Sequence, residues 1–216
     1  MLVALELAGS VSLGLGVGRW VVPRMARPWT PTLDRSRRVW AVVLVTGALF
    51  GAMAARLGAD AVLPAYWLLV AGLVSIVAVD LEHHLVPNRL VYPLAALGAV
   101  LLSFATVLDG TPSRLGQAAV GGVLAFVSLG TLHLAQPRAI GYGDVRLGCV
   151  VAIFLGWLSL SLVLASFALA LATAALVAVV LLISRRRGFG DRIAFAPFLA
   201  LGPLLAMLLG SYGRHP

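Results

Sequence analysis

An all-α, polytopic membrane protein is the fold class that this sequence predicts, and three observations predict it. Of 216 residues, 61% are hydrophobic and only 11% are charged. The mean hydropathy is +1.03. The apolar residues also come in runs near the roughly 20 positions that a helix needs to cross a bilayer's hydrocarbon core. Such a chain cannot satisfy its surface as a soluble domain and is expected to bury it in lipid. The expectation is about eight transmembrane helices, with the N-terminus outside and residues 1–216 forming a single integral membrane domain.

The elements follow from the apolar runs and their breakers. Met1 to about Val22 is expected as the first span, with Gly14, Gly16 and Gly18 spaced to let another helix approach closely. It lacks a cationic leader region and carries Glu6, so it reads as a spanning helix and not as a cleaved signal peptide. Residues 19–38 are expected to form a short basic loop: they hold Arg19, Arg24, Arg27, Arg35, Arg37 and Arg38, and Pro23, Pro28 and Pro31 oppose regular helix. A second span follows from about Val39 to Leu57, then a tight turn at Gly58 to Ala61 and a third span ending at Asp80.

After the polar segment LEHHLVPNR, a fourth span is expected over about Leu90 to Leu108 and a fifth over about Gly116 to Ala135. The Asp109-Gly110-Thr111-Pro112 turn signal separates them, and Pro137 closes the fifth. From Val145 to Ile183 the apolar run is 39 residues, which suits two short spans with a turn near Gly156 to Ser161. Arg185, Arg186 and Arg187 stop it, and a last span runs from about Ile193 to Gly210.

Charge parity supports the count. The net charge of +8 comes from 16 basic residues, all arginine, against 8 acids. With eight spans, 13 of the 16 arginines fall on one side, leaving only Arg56, Arg114 and Arg214 opposite. Basic loops mark the cytosolic side, so the side that holds Arg138, Arg146 and Arg192 is expected to be cytosolic. Nucleic-acid binding is excluded on the same grounds, because the arginines lie in short loops with no basic domain between them. Cys149 is the only cysteine, so no internal disulfide and no CxxC metal or redox site is expected.

Two acids then stand out. Asp80 closes the third span and Asp144, in AIGYGDVRL, opens the sixth, so both fall at the cytosolic membrane surface. An acid at such a depth is costly and is usually functional. Two carboxylates at one level suit aspartic hydrolysis: one deprotonates a water that attacks a peptide carbonyl, and the other donates a proton to the carbonyl oxygen and then to the leaving amine. Close carboxylates cannot both ionise easily and can share one proton. Gly141 and Gly143, lacking a β-carbon, would let a substrate backbone or a helix lie against the loop. The plain alternative is that Asp144 only caps its helix and the glycines only end the one before. Helix ends predict an asymmetry: the positive end favours a charged Asp144, making it the base, whereas the negative end favours a neutral Asp80.

The same segments carry a resemblance. VDLEHHLVPNRL, Val79 to Leu90, resembles the first active-site segment of type IV prepilin peptidases, and IGYGDVRLG, Ile140 to Gly148, resembles their GxGD segment. IAFAPFLALG, Ile193 to Gly202, is similar to their last helix, and AGSVSLGLGVGRWVVPR, Ala8 to Arg24, is a weaker echo of their first. The resemblance implies a membrane aspartic endopeptidase, without cofactor, in the bacterial cytoplasmic membrane. It would cut the basic leader from type IV prepilins or pseudopilins at the cytosolic face, with Asp80 and Asp144 as the catalytic pair. Gly141, Gly143, Glu82, Pro87 and Asn88 would shape the loops or contact substrate, and Asp80, Glu82, Asp144 and Asp191 are the acids that would meet the basic leader. Bifunctional members carry paired CxxC motifs after the first span, associated with N-methylation; here only residues 19–38 stand in that place, without cysteine. The resemblance therefore implies no N-methyltransferase activity and no need for S-adenosylmethionine. Arg146 stands where Lys is usual, which keeps the charge and changes its donor geometry.

Other residues have plainer readings. Asp80, Glu82, His83 and His84 invite a metal, but adjacent histidines on a helix diverge and no further ligand cluster follows, so no metal is expected. His133 reads as a hydrogen-bonded residue within a span, Arg185 to Arg187 as a lipid-headgroup anchor, and Trp20, Trp40 and Trp67 as interfacial anchors. Two rival functions stay open: a small proton-coupled transporter, which would put its acids near the bilayer midplane beside broken helices, and a pilus-assembly factor that kept the fold without catalysis.

Overall fold

The computed structural model describes residues 2–31, 33, 37–136, 140–183 and 195–210. The positions Arg35, Pro137, Arg138, Arg185, Arg186, Arg187, Asp191, Arg192, Ile193 and Arg214, to which the sequence assigned roles, lie outside them. Among the described residues every regular element is helical: α1 (Leu2–Gly16), a π-helical turn (Val17–Val21), α2 (Val22–Ala26), α3 (Arg38–Leu57), α4 (Leu63–His83), α5 (Asn88–Asp109), α6 (Ser113–Ala135), α7 (Tyr142–Leu158), α8 (Leu160–Ile183) and α9 (Ala196–Leu209). Six segments are long and apolar enough to cross a membrane: Val3–Ala26, α3, α4, α5, α6 and Leu160–Val180 within α8. With α7 and α9, of 17 and 14 residues, they make the eight helical segments that the sequence predicts.

Most boundaries fall where the breakers put them. Gly58 caps α3 with φ of 72°, a left-handed value that glycine adopts without a β-carbon penalty, and Gly110 ends α5 at 63°. The long apolar run breaks at Ser159, inside the expected turn, although α8 at 24 residues is not short. One expectation is corrected. Residues 19–26 are not loop, because the first helix continues through the π-turn into α2. Pro23 sits in the first turn of α2, where a missing N–H costs no helical bond. The widened turn before it, closed by Val22 N–H to the Val17 carbonyl, accommodates the pyrrolidine ring that would otherwise strike the preceding turn. Helix then stops at Ala26, two residues before Pro28.

The chain divides into two compact units, residues 1–83 with 87–115, and residues 84–86 with 116–216. In the first, glycines pair α1 with α3: a β-carbon at Gly14 would lie 2.7 Å from Phe50 Cβ, one at Gly18 2.8 Å from Val43 Cα, and one at Gly47 2.6 Å from Leu15 Cδ2. Such small-residue seams let helix backbones approach where no hydrophobic force drives them together. Gly16 takes no part, since nothing lies within 4 Å of its β-carbon direction. Trp67 also packs: its ring stacks on Phe50 at 5.5 Å and its indole N–H donates to the Phe50 carbonyl, so it joins α3 to α4. Trp20 and Trp40 remain exposed, as interfacial anchors should be.

The second unit is built by the same rule. Gly121 faces the Ala152 carbonyl, Gly156 faces the Gln117 carbonyl and Ala118, and Gly202 faces Ser166 and Ala170, which draws α6 to α7 and α9 to α8. Leu129, Ile140 and Val145 form a buried cluster with Phe167 against it, so the loop that leads into α7 is anchored in that unit's core.

Candidate active site

Asp144 is buried and occupies the third position of α7. It is not the cap residue; Gly141 is. The Asp144 Oδ2 accepts the Gly141 N–H at 3.0 Å, while the Asp144 N–H donates to the Gly141 carbonyl at 3.0 Å. The carboxylate thus accepts a free N–H group of its own first helical turn, the reciprocal half of a capping box.

The two glycines of the motif act through space, not through backbone conformation. Gly141 is extended at φ −73° and ψ 150°, a region open to any residue. A β-carbon there would sit 3.2 Å from Asp144 Oδ2. At Gly143 a β-carbon would come within 2.9 Å of Val86 Cβ and 3.3 Å of the Val86 carbonyl. The segment 84–86 of the LEHHLVPNR stretch therefore packs directly on the GYGD turn. Val86 carries no chemistry of its own, and its role was not visible in the sequence.

Side chains behind the turn complete its support. His133 Nδ1 donates to the Ile140 carbonyl at 2.8 Å, as a ring nitrogen facing a carbonyl must. This matches the hydrogen-bonded reading and adds a purpose, since Ile140 immediately precedes Gly141. The His133 ring lies 5.6 Å from Tyr142, whose own ring lies 4.3 Å below the Arg146 guanidinium. Arg146 thus sits on the first turns of α7 against an aromatic face, a cation–π contact within the turn that carries Asp144.

Asp80 is buried in the last turn of α4, in the first unit. That helix continues to His83, three residues beyond the expected end, so Glu82 and His83 are helical. Glu82 Oε1 pairs with Arg38 Nη1 at 2.8 Å, and His83 Nε2 donates to the Trp29 carbonyl at 2.7 Å. Both bonds are exposed and tie the end of α4 to the start of α3 and to Trp29, beyond α2. His84 then adopts a left-handed φ of 51°, turning the chain out of the helix where glycine or asparagine is usual. Pro87, extended and buried, caps α5, and its carbonyl accepts the N–H groups of Leu90 and Val91; Asn88 begins that helix. Among the described residues no three His, Cys, Asp or Glu side chains gather as a metal site.

Comparison with known proteins agrees on one family. The profile of the type IV leader peptidase family matches residues 67–183, a stretch that contains Asp80, the LEHHLVPNR segment and the GYGD turn. The chain is 30% identical over 182 residues to a prepilin leader peptidase/N-methyltransferase of Stutzerimonas stutzeri, covering 81% of this chain and 60% of that protein. Identity is 31% to the protein of that name from Pseudomonas aeruginosa, over 78% of this chain and 57% of the relative. It is 32% to that from Aeromonas hydrophila, over 81% and 59%. The chain thus spans about three fifths of the length of these curated relatives. No solved structure matches.

Proposed function

We propose, from the premise that this chain belongs to the type IV leader peptidase family, that it is an aspartic endopeptidase removing the leader of type IV prepilins or related proteins at the cytosolic face of a bacterial inner membrane. The observation that carries the reading is the environment of Asp144: a buried carboxylate fixed in a glycine-lined first turn, within a family match that also contains Asp80.

In the proposed reaction Asp144, favoured as the anion, takes a proton from water as the oxygen attacks the scissile carbonyl. Asp80, at the negative end of α4, is favoured as the neutral acid and donates to the carbonyl oxygen. The tetrahedral intermediate collapses when the leaving nitrogen takes up a proton, which yields a carboxyl and an amine with no covalent enzyme intermediate. Residues 1–216 act here as one peptidase domain, and Asp80, Glu82, Asp144 and Asp191 are the acids suited to a basic leader. The chain has a single cysteine, so paired CxxC chemistry is absent from it and we assign it no N-methylation. The arginine distribution supports a cytosolic active site.

The test is co-expression with a tagged prepilin from the same organism. Wild type is expected to remove the leader, and Asp80→Ala and Asp144→Ala are each expected to lose cleavage while still accumulating in the membrane. Retained cleavage in either variant removes the dyad mechanism; membrane uptake of a solute without any cleavage would favour the transporter.

A further inference from the structure

The GYGD turn and the histidine behind it meet at one peptide unit. Asp144 Oδ2 accepts the Gly141 N–H at 3.0 Å, and His133 Nδ1 donates to the Ile140 carbonyl at 2.8 Å. That carbonyl and that N–H belong to the same peptide bond, so they are coplanar and point in opposite directions. Holding the carbonyl therefore aims the N–H. The plane needs holding because the residue after it is a glycine. The Gly141 φ of −73° is ordinary, but without a β-carbon positive φ is open as well, so the peptide could flip and turn its N–H away from the carboxylate. Its neighbours oppose that rotation. The Ile140 side chain is buried with Leu129 and Val145, and its own N–H donates to the Gln136 carbonyl at 3.4 Å. The His133 ring, on the last turn of α6, is in turn packed 5.6 Å from the Tyr142 ring. A donor on the carbonyl also polarises the peptide and strengthens its N–H as a donor.

We propose that His133 is a positioning residue for Asp144 that acts through the Ile140–Gly141 peptide. It locks the plane of that peptide against flipping, and the locked N–H fixes the carboxylate that the proposed reaction uses. The imidazole works at one remove from the chemistry: it exchanges no proton with water or substrate, and what it supplies is the Nδ1 donor. An amide donor in the same place would therefore serve, whereas an aromatic ring without a donor would not. The catalytic consequence rests on the peptidase reading; the chain of two hydrogen bonds does not.

The test uses the purified full chain in detergent micelles, labelled with carbon-13 at the isoleucine carbonyl and nitrogen-15 in glycine. Ile140–Gly141 is the one Ile–Gly step in the chain, so a carbonyl-to-nitrogen correlation spectrum shows the Gly141 amide alone. Asp144→Asn is expected to move that amide proton upfield, which marks it as a report on the Oδ2 bond. His133→Phe, which keeps a ring against Tyr142 and removes the donor, is expected to move it the same way. His133→Asn, whose amide N–H takes the place of Nδ1, is expected to return it toward the wild-type position. On a tagged prepilin, His133→Phe should lower kcat about tenfold with KM unchanged, and His133→Asn should stay within about twofold of wild type. An unmoved Gly141 proton in His133→Phe, or an equal loss of kcat in the Phe and Asn variants, would overturn the proposal. If wild type cleaves no prepilin while the Gly141 shifts appear as expected, the peptidase reading falls and the positioning of Asp144 by His133 stands.

Discussion

Asp80 lies in the last turn of α4 and Asp144 in the first turn of α7, so two identical side chains meet opposite ends of a helix. Around Asp144 the chain uses backbone and close packing: the Gly141 N–H, Val86 against Gly143, and the Ile140 carbonyl held by His133. Past Asp80, exposed side chains tie the end of α4, through the Arg38–Glu82 pair and the His83 bond to the Trp29 carbonyl. A turn built from backbone tolerates little change, whereas exposed pairs contribute only about 0.2–1 kcal/mol and are readily replaced.

That contrast can be broken or sharpened by three changes of decreasing size. Gly143→Val should have the largest effect. Its side chain would meet Val86 at distances that backbone cannot absorb, costing about 1–3 kcal/mol by overpacking. The shift it forces on Asp144 should lower prepilin cleavage by about a hundredfold, as a misplacement near 1 Å can. Gly130→Ala, with nothing within 4 Å, is the matched control and should leave cleavage and the thermal midpoint unchanged. If Gly143→Val cleaves normally, the Val86 contact does not position the carboxylate.

An intermediate effect is expected in the infrared spectrum. Each helix end contributes only about 0.3–1 kcal/mol, so in a pH titration the protonated-carboxyl band should persist to a higher pH in Asp144→Asn than in Asp80→Asn. The reverse pattern would exchange the roles of acid and base. The smallest effect is reserved for Glu82→Gln. Its partner Arg38 is 74% exposed, so stability should change by less than about 0.5 kcal/mol. If Glu82 meets the basic leader, KM should rise while kcat is kept. A large loss of stability would show that the exposed pair does more for α4 than its geometry allows.

Much of this architecture was legible because membrane spans obey length. The breaks at Gly58, Gly110 and Ser159 coincide with residues that weaken a helix, adopt a positive φ at its end or offer polar groups there. The seam at Gly14 and Gly18 was visible as spacing, and Gly47 with Gly51, at the same spacing in α3, follows the same rule. The continuation past Arg19 was not legible: prolines read as breakers, whereas Pro23 falls in the first turn of α2, where its missing N–H is harmless. At the site, Asp144 and its glycines stood out by composition. Val86 against Gly143 and His133 against Ile140 did not, because each joins residues whose only link is their meeting in space.

The central claim is that the two aspartates act as one chemical unit, and a double-mutant cycle on prepilin cleavage tests it most directly. With purified wild type, Asp80→Asn, Asp144→Asn and the double variant, each single change should cost at least about 10²–10⁴ in kcat. The double variant should then be no slower than the worse single one, because groups that act together are lost together. Losses that multiply in the double variant, or substantial turnover in either single one, would contradict it.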